Sequence, residues 1–291
     1  MPRREDDESG EAMTAPVVYC AVPVHNRLKT TARFLEYFNC QTYENTELVI
    51  IDDGSSDGTG EFLAGLNQRN LTVLKGDGNL WWGGAMQIAM QYILSSASCE
   101  DLLLMLNDDI GIDATFIEEL VAETQRYPNA IVGALQCDEE RKVVMPTGYR
   151  VDYWAMRIDP SNSHEEAHDA LPGRGVMIPV TAMQKCGVVN SKLFPHYLSD
   201  LEYTLRAKER GWNLRVCCNA IVYTSRISSD HKAQEKGVVS KYLSPRSKNN
   251  IFERIAFFSV RGPLLLRLTA VPRYASCVML RWVGRRLGLA N

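Results

Sequence analysis

The sequence predicts an α/β domain built on a parallel sheet with helices on both faces. Three observations carry that expectation. Short apolar runs rich in β-branched residues alternate with helical periodicities over the first 126 residues, as in successive strand–helix–strand units. Polar residues stand directly after those runs: His25, Asp52, Asp53, Asn79, Asp108 and Asp109. Right-handed crossovers bring the ends of parallel strands to one edge, which is where such sheets bind ligands. Finally, 291 residues with 45% hydrophobic and 23% charged content suit a globular chain long enough to bury a core.

The elements follow in order. Residues 17–24 (VVYCAVPV) form a buried strand. After the loop His25-Asn26-Arg27, residues 28–39 form a helix with Phe34, Leu35 and Phe38 on one face. A second strand at 47–51 ends in the loop DDGSSDGT, which feeds a helix at 60–68. Residues 71–74 are a third strand, followed by the turn Gly76-Asp77-Gly78-Asn79 and a helix at 83–95. Residues 101–106 (DLLLML) are a fourth strand, stopped by Asn107-Asp108-Asp109, and 113–126 are a helix. Beyond Ala130 the pattern changes: strands at 131–136, 143–151 and 176–180, a loop at 159–170, a helix at 200–210 stopped by Gly211, then strands at 213–218 and 220–223.

The eight cysteines show no C-x-x-C spacing and several lie in apolar runs, so reduced thiols in a cytoplasmic protein are expected rather than disulfides or a zinc site. Residues 1–15 lack the apolar core of a secretory signal and read as a disordered leader. Nothing reaches the roughly 18 apolar residues of a spanning helix. The net charge of −3 argues against a general nucleic-acid binder, but it is unevenly spread. Residues 245–291 carry nine Arg or Lys against one acid, Glu253, a net of +8, which leaves −11 on residues 1–244.

Several constellations could carry chemistry. Asp52-Asp53 places adjacent, repelling carboxylates after a buried strand, although DGSSDGT is also turn and cap chemistry. An apolar strand ending in paired acids at Asp108-Asp109 suits a hard divalent cation, Mg²⁺ or Mn²⁺. Gly78-Asn79-Leu80-Trp81-Trp82-Gly83-Gly84 allows close backbone approach to a ligand and offers two rings for stacking, or else core aromatics beside a helix start. It is neither a Walker A loop nor G-x-G-x-x-G. Ser199-Asp200-Leu201-Glu202-Tyr203 opens a helix, where Asp200 is either an N-terminal acid favoured by the helix dipole or a general base at a cleft rim.

These residues together carry a family resemblance. VVYCAVPVHNR, ELVIIDDGSSDGTGEF, GNLWWGGAMQIAM, LLLMLNDDI, GRGVMIPVTAMQKCG and FPHYLSDLEYTLRAKERGW, in order over residues 16–225, resemble the family 2 glycosyltransferases of the Rossmann-like GT-A fold. Within the family they are most similar to bacterial rhamnosyl- and galactofuranosyltransferases of cell-surface glycans. The resemblance implies an inverting transferase that moves a sugar from a nucleotide-diphosphate sugar to a hydroxyl of a glycan or lipid-linked glycan. Pro23 and His25 would lie beside the nucleotide, Asp53 would bind the base with Asp52 supporting its loop, and Asn79, Trp81 and Trp82 would contact the nucleotide-sugar. Asp109 would bind Mg²⁺ or Mn²⁺ bridging the diphosphate, Asp108 would face the sugar, and Asp200 would be the catalytic base. Gly173, Arg174 and Gly175 would form a loop under the sugar, with Glu202 and Arg206 on the acceptor side.

Two positions depart from the family pattern. Asn107 opens the metal-binding motif, and Thr224-Ser225-Arg226 stand where many members carry a metal-binding His, leaving His231 as the nearest one. A sugar nucleotidyltransferase would normally show a Gly-rich basic loop after its first strand, which VPVHNR lacks. An inactive sugar-nucleotide-binding module fits poorly with intact Asp53, Asp109 and Asp200. The expected organisation is a leader (1–15), a catalytic domain (16–230), and a mobile loop with a basic helical extension (231–291). Seven arginines interrupt the apolar runs of 251–290. That pattern fits a helical pair packed on the domain or an amphipathic helix on anionic lipid. The resemblance favours the second, at the inner face of the cell membrane.

Overall fold

A computed structural model describes residues 15–161, 167–224, 243–244, 247 and 250–286, with side chains to residue 280. Residues 1–14 of the expected leader and His231 lie outside the described residues. An eight-stranded sheet runs in the order β3-β2-β1-β4-β9-β6-β10-β5. Its strands are β1 (Val18–Val24), β2 (Thr46–Asp52), β3 (Leu71–Lys75), β4 (Leu102–Met105), β5 (Ile110–Ile112), β6 (Ala130–Asp138), β9 (Val176–Pro179) and β10 (Asn213–Thr224). The pairs β1–β2, β2–β3, β1–β4 and β6–β10 are parallel, whereas β9 and β5 are antiparallel to their neighbours. A small hairpin of β7 (Gly148–Asp152) and β8 (Arg157–Ser161) stands beside it.

Side chains alternate across each strand, so one sheet serves two cores. Cys20 and Val22 of β1, Leu48 and Ile50 of β2, and Leu102 and Leu104 of β4 meet α1 (Leu28–Asn39) through Phe34 and Phe38, and α4 (Phe116–Arg126) through Phe116 and Leu120. The intervening Ala21, Val49, Ile51, Leu103 and Met105 face α3 (Trp81–Ser96), α5 (Val180–Cys186) and α6 (Ser199–Glu209). Burial on both faces explains why these runs are continuously apolar.

The differences from expectation have local causes. Helix α2 (Thr59–Ala64) stops early, at Gly65. The segment expected as one strand at 143–151 holds a single bridge, Val144 to Cys137, before β7 begins. Residues 159–161 of the expected loop belong to β8. The two strands expected at 213–223 are one, β10, with an irregularity between Cys217 and Ile221 that shifts its register against β6. Edge strand β5 and short α5 were too brief to show periodicity. No disulfide is formed by the eight cysteines.

Among the described residues, the basic extension forms three helices: α7 (Ile251–Arg261), α8 (Leu264–Arg267) and α9 (Ala270–Arg286). Asn250 caps α7 by accepting from the Glu253 amide at 3.0 Å. Phe257 and Phe258 of α7, with Ala270 and Tyr274 of α9, bury against Phe194, Met156 and α6 residues Leu201 and Leu205. Each buried Phe stabilises by roughly 1.5–3 kcal/mol, so the extension is fastened to the helix that carries Asp200. Its outer surface exposes Leu264, Leu265 and Leu268 at 73%, 80% and 81%. No helix among the described residues is long and apolar enough to cross a membrane.

Candidate active site

The carboxyl ends of β1, β2, β4, β6 and β10 and the start of β9 share one sheet edge, and the expected site residues gather there. The loop after β1 is tied to the loop after β2. His25 Nδ1 lies 2.5 Å from the Asp53 carbonyl, the Asn26 amide donates to Ser55 Oγ, and the Leu28 amide donates to Asp57 Oδ2. Pro23 lies in β1 opposite Ile51. Asp52 accepts from the Ser55 amide at 3.0 Å, closing the turn.

Asp53 does structural work at the same edge. Its Oδ1 accepts from the Gly78 amide at 2.8 Å and its Oδ2 from the Trp81 amide at 3.0 Å. It thereby pins the turn containing Asn79 and the start of α3. Trp81 has φ +59°, a state bulky residues rarely adopt, and this carboxylate holds it. The Trp81 ring meets His196 edge-on at 5.3 Å.

The acidic turn after β4 is organised by Arg27, which lies two residues beyond His25. Arg27 Nη1 is 2.8 Å from Asp108 Oδ1 and 3.3 Å from Asp109 Oδ2, and Thr31 Oγ1 donates to Asp108 Oδ2 at 3.1 Å. Asp108 is 3% exposed. Its expected place facing the sugar is therefore corrected: both of its oxygens are engaged inside the protein. Burial pushes its pKa up, and Arg27 opposes that shift. Asp109 differs, because its Oδ1 is buried and has no hydrogen-bond partner.

Across the site, α6 begins after Leu198, whose φ is +62°. Asp200 Oδ2 accepts from the Gly173 amide at 2.7 Å and Oδ1 from its neighbour's, that of Leu201, at 2.8 Å. Asp200 keeps partial exposure but is densely surrounded, and desolvation raises its pKa against these two amides and the nearby Arg174 charge. Arg174 donates to Thr224 Oγ1 at 3.2 Å. Gly175 holds φ +83°, and a Cβ there would lie 2.8 Å from the Val222 side chain and 2.9 Å from Ala134.

Glu202 and Arg206 also need correction. Glu202 is 2% exposed and forms a bidentate ion pair with Arg206, whose guanidinium also donates to the Cys186 and Val188 carbonyls. They lock α6 to the end of α5, their polar atoms having been drawn inside by mutual pairing, and do not face an acceptor.

Among the described residues, the acidic turn offers a divalent ion one unengaged oxygen. Asn107 Oδ1 is taken by Trp82 Nε1 at 2.9 Å, Asp108 is committed, and no three His, Cys, Asp or Glu side chains converge among the described residues. Asp109 Oδ1 remains. Mg²⁺ and Mn²⁺ accept one or two carboxylates completed by water and substrate phosphates, so the residues present fit an ion shared with a diphosphate.

The family model for glycosyl transferase family 2 matches residues 19–229. The chain belongs to that family. A curated relative, glycosyltransferase GlyG of Streptococcus pneumoniae serotype 4, is 31% identical over 118 residues, which is 40% of this chain and 38% of GlyG. The chain thus matches well under half the length of that relative. The fold is similar to S. aureus TarS 1–349 in complex with UDP, at TM-score 0.59 and 14% identity over 90% of this chain and 70% of that one. It is similar also to the mannosyltransferase PcManGT from Pyrobaculum calidifontis in complex with GDP-Man and Mn²⁺, at TM-score 0.56 and 15% identity over 96% and 82%. The family 2 chain accordingly has the GT-A-like architecture: a mixed, mostly parallel sheet flanked by helices, with C-terminal helices following it.

Arg27 and Thr31, which organise the acidic turn, carry no signal in the sequence that would single them out. Arg27 is a lone cation in a loop that precedes a helix, and its partners lie about eighty positions away.

Proposed function

We propose that this glycosyltransferase inverts the anomeric centre while moving a sugar from a nucleoside diphosphate to a hydroxyl of a glycan or lipid-linked glycan, in bacterial cell-envelope polysaccharide synthesis. The observation that carries the reading is Asp200. Its carboxylate is held by two backbone amides on the same edge as Asp109, with lone pairs left for an acceptor proton. Asp200 takes the hydroxyl proton, and the acceptor oxygen bonds to the anomeric carbon from the face opposite the leaving group. The bond to the diphosphate breaks, with its electron pair leaving on the diphosphate. Pro23, His25 and the Asp53 loop flank the nucleotide, and Asn79 and Trp81 border the donor. Asp109 Oδ1 would hold Mg²⁺ or Mn²⁺, which would offset charge on the leaving diphosphate. Arg27 and Arg174 place fixed positive charge on either side. A panel of UDP-, GDP- and dTDP-sugars, assayed by calorimetry with and without Mn²⁺, should show one that binds and is slowly hydrolysed. Asp109→Ala should weaken its binding chiefly in the presence of Mn²⁺. Binding to none of the panel, or release of a nucleoside triphosphate with pyrophosphate, would overturn the reading.

The exposed leucines of α8 and its flank, with Arg267 in α8 and Arg273 in α9, support a peripheral site on anionic lipid at the inner face of the membrane. Truncation before α7 would strip Phe257 and Phe258 from the core, so surface substitutions are the cleaner probe. Leu264→Ser, Leu265→Ser and Leu268→Ser combined should lower co-sedimentation with phosphatidylglycerol vesicles at least about tenfold and leave thermal unfolding unchanged. Unaltered sedimentation would exclude this surface.

A further inference from the structure

We propose that Trp82 is a positioning residue that couples the acidic donor turn to the orientation of Asp200, in place of the sugar-stacking ring its sequence context suggests. The inference rests on the reading of Asp200 as the base. One edge of the indole is fixed by Nε1–H, which donates to Asn107 Oδ1 at 2.9 Å. The other edge lies against Gly173: a Cβ at that position would stand 2.5 Å from Trp82 Cζ2 and Cη2 and 3.1 Å from Asp200 Cβ. Ring, glycine backbone and base therefore stack with no room for a methyl group, and the Gly173 amide they position donates to Asp200 Oδ2 at 2.7 Å.

This arrangement gives Asn107 a reason. An amide oxygen accepts the indole proton while adding no third negative charge beside Asp108 and Asp109. The departure from an acid at this position thus joins two halves of the site. Asp200 feels few other charges: Arg174 favours its ionised form, and Tyr149 of β7 is the titratable group coupled to it from the hairpin side. Against desolvation, the Gly173 amide is a main stabiliser of the carboxylate, so a shift of that backbone must change its proton affinity.

The test requires no donor. In protein labelled with [γ-¹³C]Asp, the Asp200 carboxyl resonance is assigned by its loss in Asp200→Asn and then titrated. Gly173→Ala, which forces the ring or the backbone aside, should raise the Asp200 pKa by about one unit, tenfold in proton affinity. Trp82→Phe, which loses both the Nε1–H bond and the outer ring atoms, should raise it by a smaller amount. Trp154→Phe, at an exposed ring, should leave it unmoved. Once a donor is known, the acid limb of the transfer rate should move upward by the same shifts. Wild-type titration in folded Trp82→Phe would overturn the coupling even if Gly173→Ala does not fold. Full transfer by Asp200→Asn together with the shifted titrations would instead sink the base assignment and leave the coupling standing.

Discussion

Asp200→Asn should reduce transfer by about 10²–10⁴-fold, the usual contribution of a general base, and keep donor affinity. The two effects separate because Asp200 lies at the start of α6, across the site from the β1 and β2 loops proposed to flank the nucleotide. The substitution is not isosteric in its hydrogen bonding. Asp200 accepts from two amides, those of Gly173 and Leu201, whereas the Asn side chain has one oxygen, so its NH₂ must face a donor. A stability loss of about 1–3 kcal/mol is expected, and rates should be compared well below the melting temperature. The pH dependence supplies a second check. Asp200 must be ionised to accept a proton, and desolvation holds its pKa above the ordinary carboxylate value. Wild-type transfer should therefore fall as pH drops through that raised value, and the residual rate of Asp200→Asn should lack this limb. Full activity in the variant, measured with the donor that binds, would remove Asp200 from the mechanism.

How far the site was legible from sequence depended on whether each residue's partners are local. Strands β1, β2 and β4 announce themselves because both faces of the sheet are covered, which makes their apolar content continuous. Asp53, Asp109 and Asp200 stand out as candidates because they follow or precede such elements. The tasks of Asp108 and Glu202 were misjudged for one shared reason. An acid in a loop or on a helix reads as exposed until a cation is brought to it by the fold. For Asp108 the cation is Arg27, 81 positions away; for Glu202 it is Arg206 one turn on and Arg261 on α7. Trp82 shows the same limit from the apolar side. Its helical context suggests core or ligand, and only the approach of Gly173 from another loop shows what its ring supports. Thr224 could be placed at the edge only once β10 was seen to run on past its irregularity.

The extension also changes what the helix carrying the base depends on. Glu202 Oε1 lies 3.1 Å from Arg206 Nε and 3.3 Å from Arg261 Nε, and Arg261 Nη1 lies 2.8 Å from Glu209. A single buried carboxylate thus ties α6 to α7 and, through Arg206, to the Cys186 and Val188 carbonyls. Removing one member of a buried ionic group leaves the others desolvated and unpaired, which costs about 3–5 kcal/mol. Glu202→Gln should therefore lower the melting temperature by about 5 °C, taking the lower cost and a chain of this size. Arg206 would keep its two carbonyl acceptors and Arg261 would keep Glu209, which is why the lower figure applies. The loss should shrink by about 1 kcal/mol in an Arg261→Met background, where one of the stranded cations is already gone. Glu202→Gln should leave the acceptor KM unchanged at low temperature, because the carboxylate is buried between arginines. A raised acceptor KM with unaltered thermal stability would return Glu202 to the acceptor side, and unaltered stability alone would show that the extension is held by Phe257 and Phe258 without help from charge.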